Sequence, residues 1–254
     1  MNIQQHRGGI LLSEVSCLNL DETLDCGQCF RFERQDDGSY KGIVRATPLH
    51  IHQLGENTFF LEGTTQEEFE TIWYDYFDLS LDYEQLKKRY QEDETMRRAL
   101  RYAPGIRVLR QEPWEALCTF IISQNNNIPR IKGIVARFCE AFGTPLPGGG
   151  YAFPTPDSIY GKTPEDLSVL RAGFRAKYLL DAANRVYTGQ LVLEDLYTMP
   201  VEEARRVLQT VKGVGPVSYT HLCKYRLVNS EVSAANAGYS LGERYFFPSA
   251  IRRW

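Results

Sequence analysis

The sequence predicts an α+β fold, with a small antiparallel sheet followed by a helical bundle. Two observations predict it. The first 80 residues alternate apolar and polar side chains in short runs broken by turn residues. From Tyr83 onward the apolar spacing becomes helical. The expected organisation is a sheet domain over residues 1–80, a helical domain over 81–216, and a separate tail over 217–254.

Each element has a local reason. Cys29-Phe-Arg-Phe-Glu-Arg34 alternates at period two, Asp36-Asp-Gly38 supplies a turn, and Tyr40–Arg45 returns as a hairpin partner. Leu49–Leu54 and Thr58–Leu61, split by Gly55-Glu-Asn57, read as a second hairpin. Such alternation suits a sheet with one buried face. Tyr83–Tyr102 is helical and stops at Ala103-Pro-Gly105. Glu112-Pro-Trp-Glu115 opens a helix that places Trp114, Leu117, Cys118, Ile121 and Ile122 at helical spacing. Ile131–Phe142 forms the next helix, and a Pro- and Gly-rich loop follows over Pro145–Pro156. Thr163-Pro-Glu-Asp166 resembles a capping box for a short helix reaching Leu170. Arg175–Tyr187 and Val201–Val211 complete the helices.

Composition narrows the function. With 254 residues, 43% hydrophobic and 24% charged, the chain reads as a soluble globular protein. Its longest apolar runs are too short to span a bilayer. The opening Met1–Gly9 has no apolar core of a leader, so a cytoplasmic location is expected, nucleoid-associated if the source is bacterial. A net charge of −3 disfavours unspecific coating of nucleic acid. A local basic face stays open, because Arg97, Arg98, Arg101, Arg107 and Arg110 cluster, as do Arg130, Lys132 and Arg137, and Arg171, Arg175 and Lys177. The alternative is ordinary solvated helix faces. The six cysteines are irregularly spaced and read as thiols. Cys26-Gly-Gln-Cys29 has no second pair at zinc-site spacing, so no metal ligands are assigned.

Three segments suggest DNA chemistry. Leu208-Gln-Thr-Val-Lys-Gly-Val-Gly-Pro216 is a helix end, a tight Gly-Val-Gly turn and an expected second helix start, the helix-hairpin-helix pattern. Backbone N–H groups in such a turn can hold a phosphate, although a Gly cap followed by Pro looks similar. Ser123-Gln-Asn-Asn-Asn-Ile-Pro-Arg130 offers Asn and Arg, residue types that read base edges. The same Asn run would also serve as a helix cap. In Leu170–Tyr178, Phe174 precedes Arg175 after a Gly, which suits a wedge and a cation at an opened base stack, or a core Phe beside a surface Arg.

Taken together, these residues resemble the 8-oxoguanine DNA glycosylases of the helix-hairpin-helix superfamily, from about Leu12 to Pro216. The resemblance includes Gly27-Gln-Cys-Phe-Arg-Phe32, Arg107–Ile131, Gly173–Tyr178 and the hairpin. It implies a base-excision-repair enzyme, acting as a monomer on double-stranded DNA, that flips 8-oxoguanine opposite cytosine and cleaves its glycosidic bond. Gly27 would offer its carbonyl to N7–H of the oxidised base. Asn125, Arg130 and Arg175 would contact the orphaned cytosine, and Phe174 would wedge. Gly213, Val214 and Gly215 would hold a phosphate. No cofactor is implied beyond a monovalent cation at the hairpin.

Two catalytic groups of that pattern are missing. A Lys should follow Pro216 to attack C1′ and form a Schiff base, which also permits strand cleavage. Val217 stands there. An Asp should stand near Asn236, yet no Asp follows Asp195. Lys212 precedes the turn and Lys224 comes two helical turns late. Val217-Ser-Tyr-Thr-His-Leu222 resembles translated adapter sequence at the broken end of a gene model, so the tail is expected not to be native. The parent would be a bifunctional glycosylase and abasic-site lyase, and this chain an inactive form. The alternative is a non-catalytic protein that binds oxidised or abasic DNA.

Overall fold

The computed structural model describes residues 1–215. The Val217 and Asn236 positions and the second hairpin helix expected at Pro216 lie outside them. The described residues form two compact units, Met1–Arg110 and 111–215.

The first unit is built on a six-stranded antiparallel sheet of order β1-β2-β6-β5-β4-β3. Its strands are β1 (Asn2–His6), β2 (Gly9–Ser13), β3 (Phe32–Arg34), β4 (Tyr40–Val44), β5 (Thr47–Gly55) and β6 (Thr58–Glu62). Both expected hairpins are present, and β1–β2 adds a third that was not anticipated. Alternation puts Ile10, Leu12, Phe32, Leu49, Ile51 and Phe59 on one buried face. Phe69, Trp73 and Phe77 join their core. They come from a helical run in which a π turn, Phe69–Trp73, joins α2 (Gln66–Glu68) to α3 (Tyr74–Tyr76). Leu20 and Leu24 of α1 (Leu20–Leu24) belong to the same core. At roughly 25 cal/mol per Å² of apolar surface, such burial is the main force on this unit.

The helical stretch after residue 80 is two helices, α4 (Tyr83–Arg89) and α5 (Glu94–Tyr102). Asp93 divides them by capping α5, its carboxylate accepting from the Met96 N–H at 2.8 Å. Both helices lie in the first unit, so the division falls at Arg110 rather than near residue 80. The physical reason is a buried polar lock. Arg107 Nε donates to Cys17 O at 3.0 Å, Nη1 to Asp78 O at 2.7 Å and Nη2 to Ser16 O at 2.8 Å. Its guanidinium also stacks on Tyr83, 4.4 Å from the ring centre. Residues beyond the sheet are thereby fastened to loops within it.

In the second unit, α6 (Pro113–Ser123) contacts α7 (Ile128–Phe142) and α9 (Arg175–Tyr187). Leu117, Ile121, Phe138 and Leu179 are fully buried. α7 starts three residues earlier than periodicity suggested, because Asn127 caps it. Thr163 and Asp166 exchange reciprocal cap bonds, as expected, at the entry to the 3-10 turn Asp166–Leu170. The short α8 (Pro156–Ile159) packs on α9, and α10 (Val201–Leu208) leads to the hairpin turn. Among the described residues no helix is long and apolar enough to cross a membrane.

Candidate functional site

The site residues are distributed over both units, and each set is held by its own unit. In the first unit Gly27 has φ +83, a conformation that costs an L side chain about 1–2 kcal/mol. Its neighbour Gln28 is buried and fixes the loop. The Gln28 amide donates to Thr23 O and Arg107 O, both at 2.8 Å, and accepts from the Leu109 N–H at 3.1 Å. Among the described residues the Gly27 carbonyl accepts no hydrogen bond. The adjacent Cys26 and Cys29 are thiols that donate to Thr23 O and Leu24 O.

In the second unit the loop between α6 and α7 separates the Asn run by role. The Asn126 amide donates to Ile122 O at 3.0 Å and closes α6. Asn127 Oδ1 accepts from the Arg130 N–H at 3.0 Å and opens α7. Both are caps, as the bland reading of this run allows. Asn125 differs. It sits at φ +46, its side chain is exposed, and that side chain has no hydrogen bond among the described residues.

Arg175 explains how Asn125 is held. Its Nε donates to Gln124 O at 2.9 Å, and Nη2 donates to Gln124 O and, at 3.0 Å, to Asn125 O. Nη1 donates to Ala172 O at 3.2 Å. Arg175 is only 3% exposed, so it is a brace rather than a surface cation. Desolvation draws its guanidinium below the ordinary value, and the charge of Arg130 adds to that. Phe174 is 51% exposed, with its ring edge-on to Tyr178 at 5.6 Å and 4.6 Å from the Arg175 guanidinium. Arg130 is exposed at the first turn of α7.

The hairpin turn is attached to the same loop. The Gln124 amide donates to Gly213 O at 2.8 Å. Gly213 has φ +89, and a Cβ there would meet the Tyr178 ring at 2.5 Å. Glycine is thus required for conformation and for space. The Val214 N–H donates to Val211 O at 3.0 Å, so that member of the expected phosphate cradle is engaged within the turn. Asp181 receives the Lys212 N–H at 2.9 Å and faces Lys212 Nζ at 3.7 Å. Gln124 and Asp181 were not singled out from the sequence. Gln124 at least lies inside the Ser123–Arg130 run that was.

Part of the arginine clusters is structural. Arg107 is buried. Arg110 pairs with Asp75 at 3.2 Å and Asp78 at 3.1 Å, Arg97 pairs with Glu94 at 2.8 Å, and Arg137 donates to Leu170 O at 3.0 Å.

Comparison with known proteins identifies the family. Residues 10–117 match the family model of the 8-oxoguanine DNA glycosylase N-terminal domain. Residues 118–235 match that of the HhH-GPD superfamily base excision DNA repair proteins, a match running beyond Pro216. The chain is 35% identical over 127 residues to an N-glycosylase/DNA lyase of Saccharomyces cerevisiae, covering 44% of this chain and 34% of the yeast protein. Among solved structures it is similar to Clostridium acetobutylicum 8-oxoguanine glycosylase/lyase in its apo form. The TM-score there is 0.84 at 36% identity, covering 89% of this chain and 80% of that one. The same enzyme with double-stranded DNA containing cytosine opposite 8-oxoG gives 0.84 at 33% identity, covering 95% and 88%. The chain spans 34% and 58% of the length of two curated relatives, from yeast and Arabidopsis thaliana. With both family models matched in order and a 36% identical glycosylase/lyase covered over four-fifths of its length, the chain belongs to the 8-oxoguanine DNA glycosylase family of the HhH-GPD superfamily.

Proposed function

We propose that this chain binds duplex DNA containing 8-oxoguanine opposite cytosine, in the manner of a base-excision-repair glycosylase/lyase, without excising the base. The observation that carries the second half is the residue after Pro216. Val217 has no nucleophilic group, and no Asp occurs between it and Trp254. Without an amine at that point there is no Schiff base and no lyase step. Lys212 does not substitute, since its backbone and ammonium both face Asp181.

Binding would use what remains. Exposed Asn125 takes the space of the flipped base and contacts cytosine, with exposed Arg130 beside it on the chain. Phe174 wedges, and Arg175, which holds the Asn125 backbone, would contact the cytosine beside it. Gly27 offers its carbonyl to N7–H, the group that separates the oxidised base from guanine. Gly213 and Gly215 border the phosphate, and the hairpin carbonyls would take a monovalent cation. The acting species is a monomer, and its place is with the nucleoid if the source is bacterial.

Borohydride trapping tests the inactivity. The full chain on an 8-oxoguanine:cytosine duplex should yield no covalent adduct, whereas anisotropy should show tighter binding than to guanine:cytosine. An adduct would sink the inactive reading, and equal binding would sink the lesion reading. The second reading is that residues after Pro216 are not native. Long-read sequencing across the codons for Gly215–Leu222 decides it. A Lys codon after Pro216 would give an ordinary glycosylase/lyase.

A further inference from the structure

The outer face of the sheet carries a cluster that base excision leaves unused. On β5, Leu49 and Ile51 point into the core, so His50 and His52 share the opposite face. Their ring centres are 4.1 Å apart. The strand register places Glu62 of β6 directly across from His50. Glu62 Oε2 lies 2.5 Å from His50 Nδ1 and 3.2 Å from His52 Nε2. From the β3–β4 turn, Asp37 Oδ2 lies 3.9 Å from His52 Nδ1. One ligand-capable atom each of Asp37, His50 and His52 falls within 4.8 Å of the others.

Hydrogen bonding orients both rings toward Glu62. Ser39 Oγ donates its single proton to Asp37 Oδ1 at 2.6 Å. It must therefore accept from His50 Nε2, 2.8 Å away. That puts a His50 proton on Nε2 and turns Nδ1 toward the Glu62 carboxylate. A contact this close needs positive charge at the ring edge, which a proton on Nδ1 or a metal ion in its place supplies. His52 Nε2 is hydrogen-bonded to the same Glu62 oxygen at 3.2 Å, and Asp37 Oδ2 lies farther off, 3.9 Å from His52 Nδ1.

We propose that His50 Nδ1, His52 Nε2 and a Glu62 carboxylate oxygen bind a borderline divalent transition metal of the zinc class, with water completing the coordination. Imidazole and carboxylate donors suit such ions, whereas magnesium and calcium take all-oxygen sets. Asp37 and Ser39 supply the outer contacts that orient ligating imidazoles. Donors around a tetrahedral zinc lie roughly 3.3 Å apart. The 3.2 Å contact already matches, and the 2.5 Å contact must open by about 1 Å. Glu62 can move, being 52% exposed. Two carboxylates and two imidazoles complement a dication, and Lys41, opposite His50 on β4, is the nearby positive charge it must tolerate.

The test uses the untagged full chain stripped with a chelator. Zinc titrated by calorimetry should bind with one equivalent, and magnesium should not bind. Cobalt should give visible d–d bands without a thiolate charge-transfer band. His50→Ala or His52→Ala should weaken zinc at least about 30-fold, and Asp37→Asn about tenfold. Glu62→Gln should also weaken it, while His6→Ala should leave it unchanged. Circular dichroism should show all variants folded, as these side chains lie outside the core. A His50→Ala/His52→Ala double variant that keeps the parent affinity overturns the proposal. So does a thiolate band, equal magnesium binding, or no saturable zinc binding by the parent.

Discussion

Arg107 in the sheet unit and Arg175 in the helical unit are both buried, and both spend their donors on backbone carbonyls. Their surroundings differ. Arg107 lies against the Tyr83 ring, and the charge of Asp78 offsets part of its desolvation. Arg175 lies against half-exposed Phe174, and the nearby charge is Arg130, of like sign. The first arrangement closes a scaffold. The second holds a loop in a left-handed turn so that Asn125 faces outward. A similar guanidinium fork thus serves stability in one unit and presentation in the other.

Substitutions can break this comparison. The largest effect is expected at Arg107. Arg107→Ala removes the guanidinium donor from the carbonyls of Ser16, Cys17 and Asp78, the last keeping only a 3.4 Å bond from the Leu81 N–H, and should cost about 3–5 kcal/mol. A calorimetric melt that barely moves would refute the scaffold role. Gly213→Ala comes next, at about 2–4 kcal/mol, because it combines a left-handed φ with a clash on Tyr178. Urea unfolding measures it.

Arg175→Lys keeps the charge and loses the fork. It should cost about 1–3 kcal/mol and weaken lesion-duplex binding about tenfold, read by melting and anisotropy on one preparation. A stability loss with full binding would mean that the loop does not present Asn125 to DNA.

Tyr40→Phe tests the sheet unit with a smaller change. Tyr40 donates to Asp21 at 2.7 Å, the main reason that carboxyl lies below its ordinary value of 3.8, with Arg34 adding. A lowered folded-state pKa stabilises above the unfolded value, and that contribution is lost as pH falls through the folded one. The variant should therefore lose about 1 kcal/mol at pH 7, with the gap to the parent closing as pH falls through the lowered Asp21 value. Asp21 is partly exposed, so solvent screening keeps the effect small. A gap that widens in acid would reverse the assignment.

The smallest stability effect belongs to Asn125→Gly. Glycine tolerates φ +46, so the melt should stay within about 0.5 kcal/mol. Preference for cytosine opposite the lesion should still fall by about 1–3 kcal/mol. Unchanged preference would remove Asn125 from the proposed contact.

Much of this was legible in the chain because its causes are local. Alternation gave β3 to β6, Pro113 with its flanking acids gave the start of α6, helical spacing gave that of α9, and the Gly-Val-Gly turn marked the hairpin. The β1–β2 hairpin was missed because Asn-Ile-Gln-Gln-His lies wholly exposed at the sheet edge and shows no burial pattern. The break at Asp93 hid inside one continuous helical periodicity.

The sequence by itself determined the fold class, the family, and the absence of a Lys after Pro216, since each depends on residue order alone. Tertiary structure decided what the polar residues do. Asn126 and Asn127 became caps, Arg107 and Arg175 became braces, and His50 and His52 met Glu62 and Asp37. The reason is physical. A polar group's role is set by the partner that satisfies it, and that partner is chosen by packing across long stretches of chain.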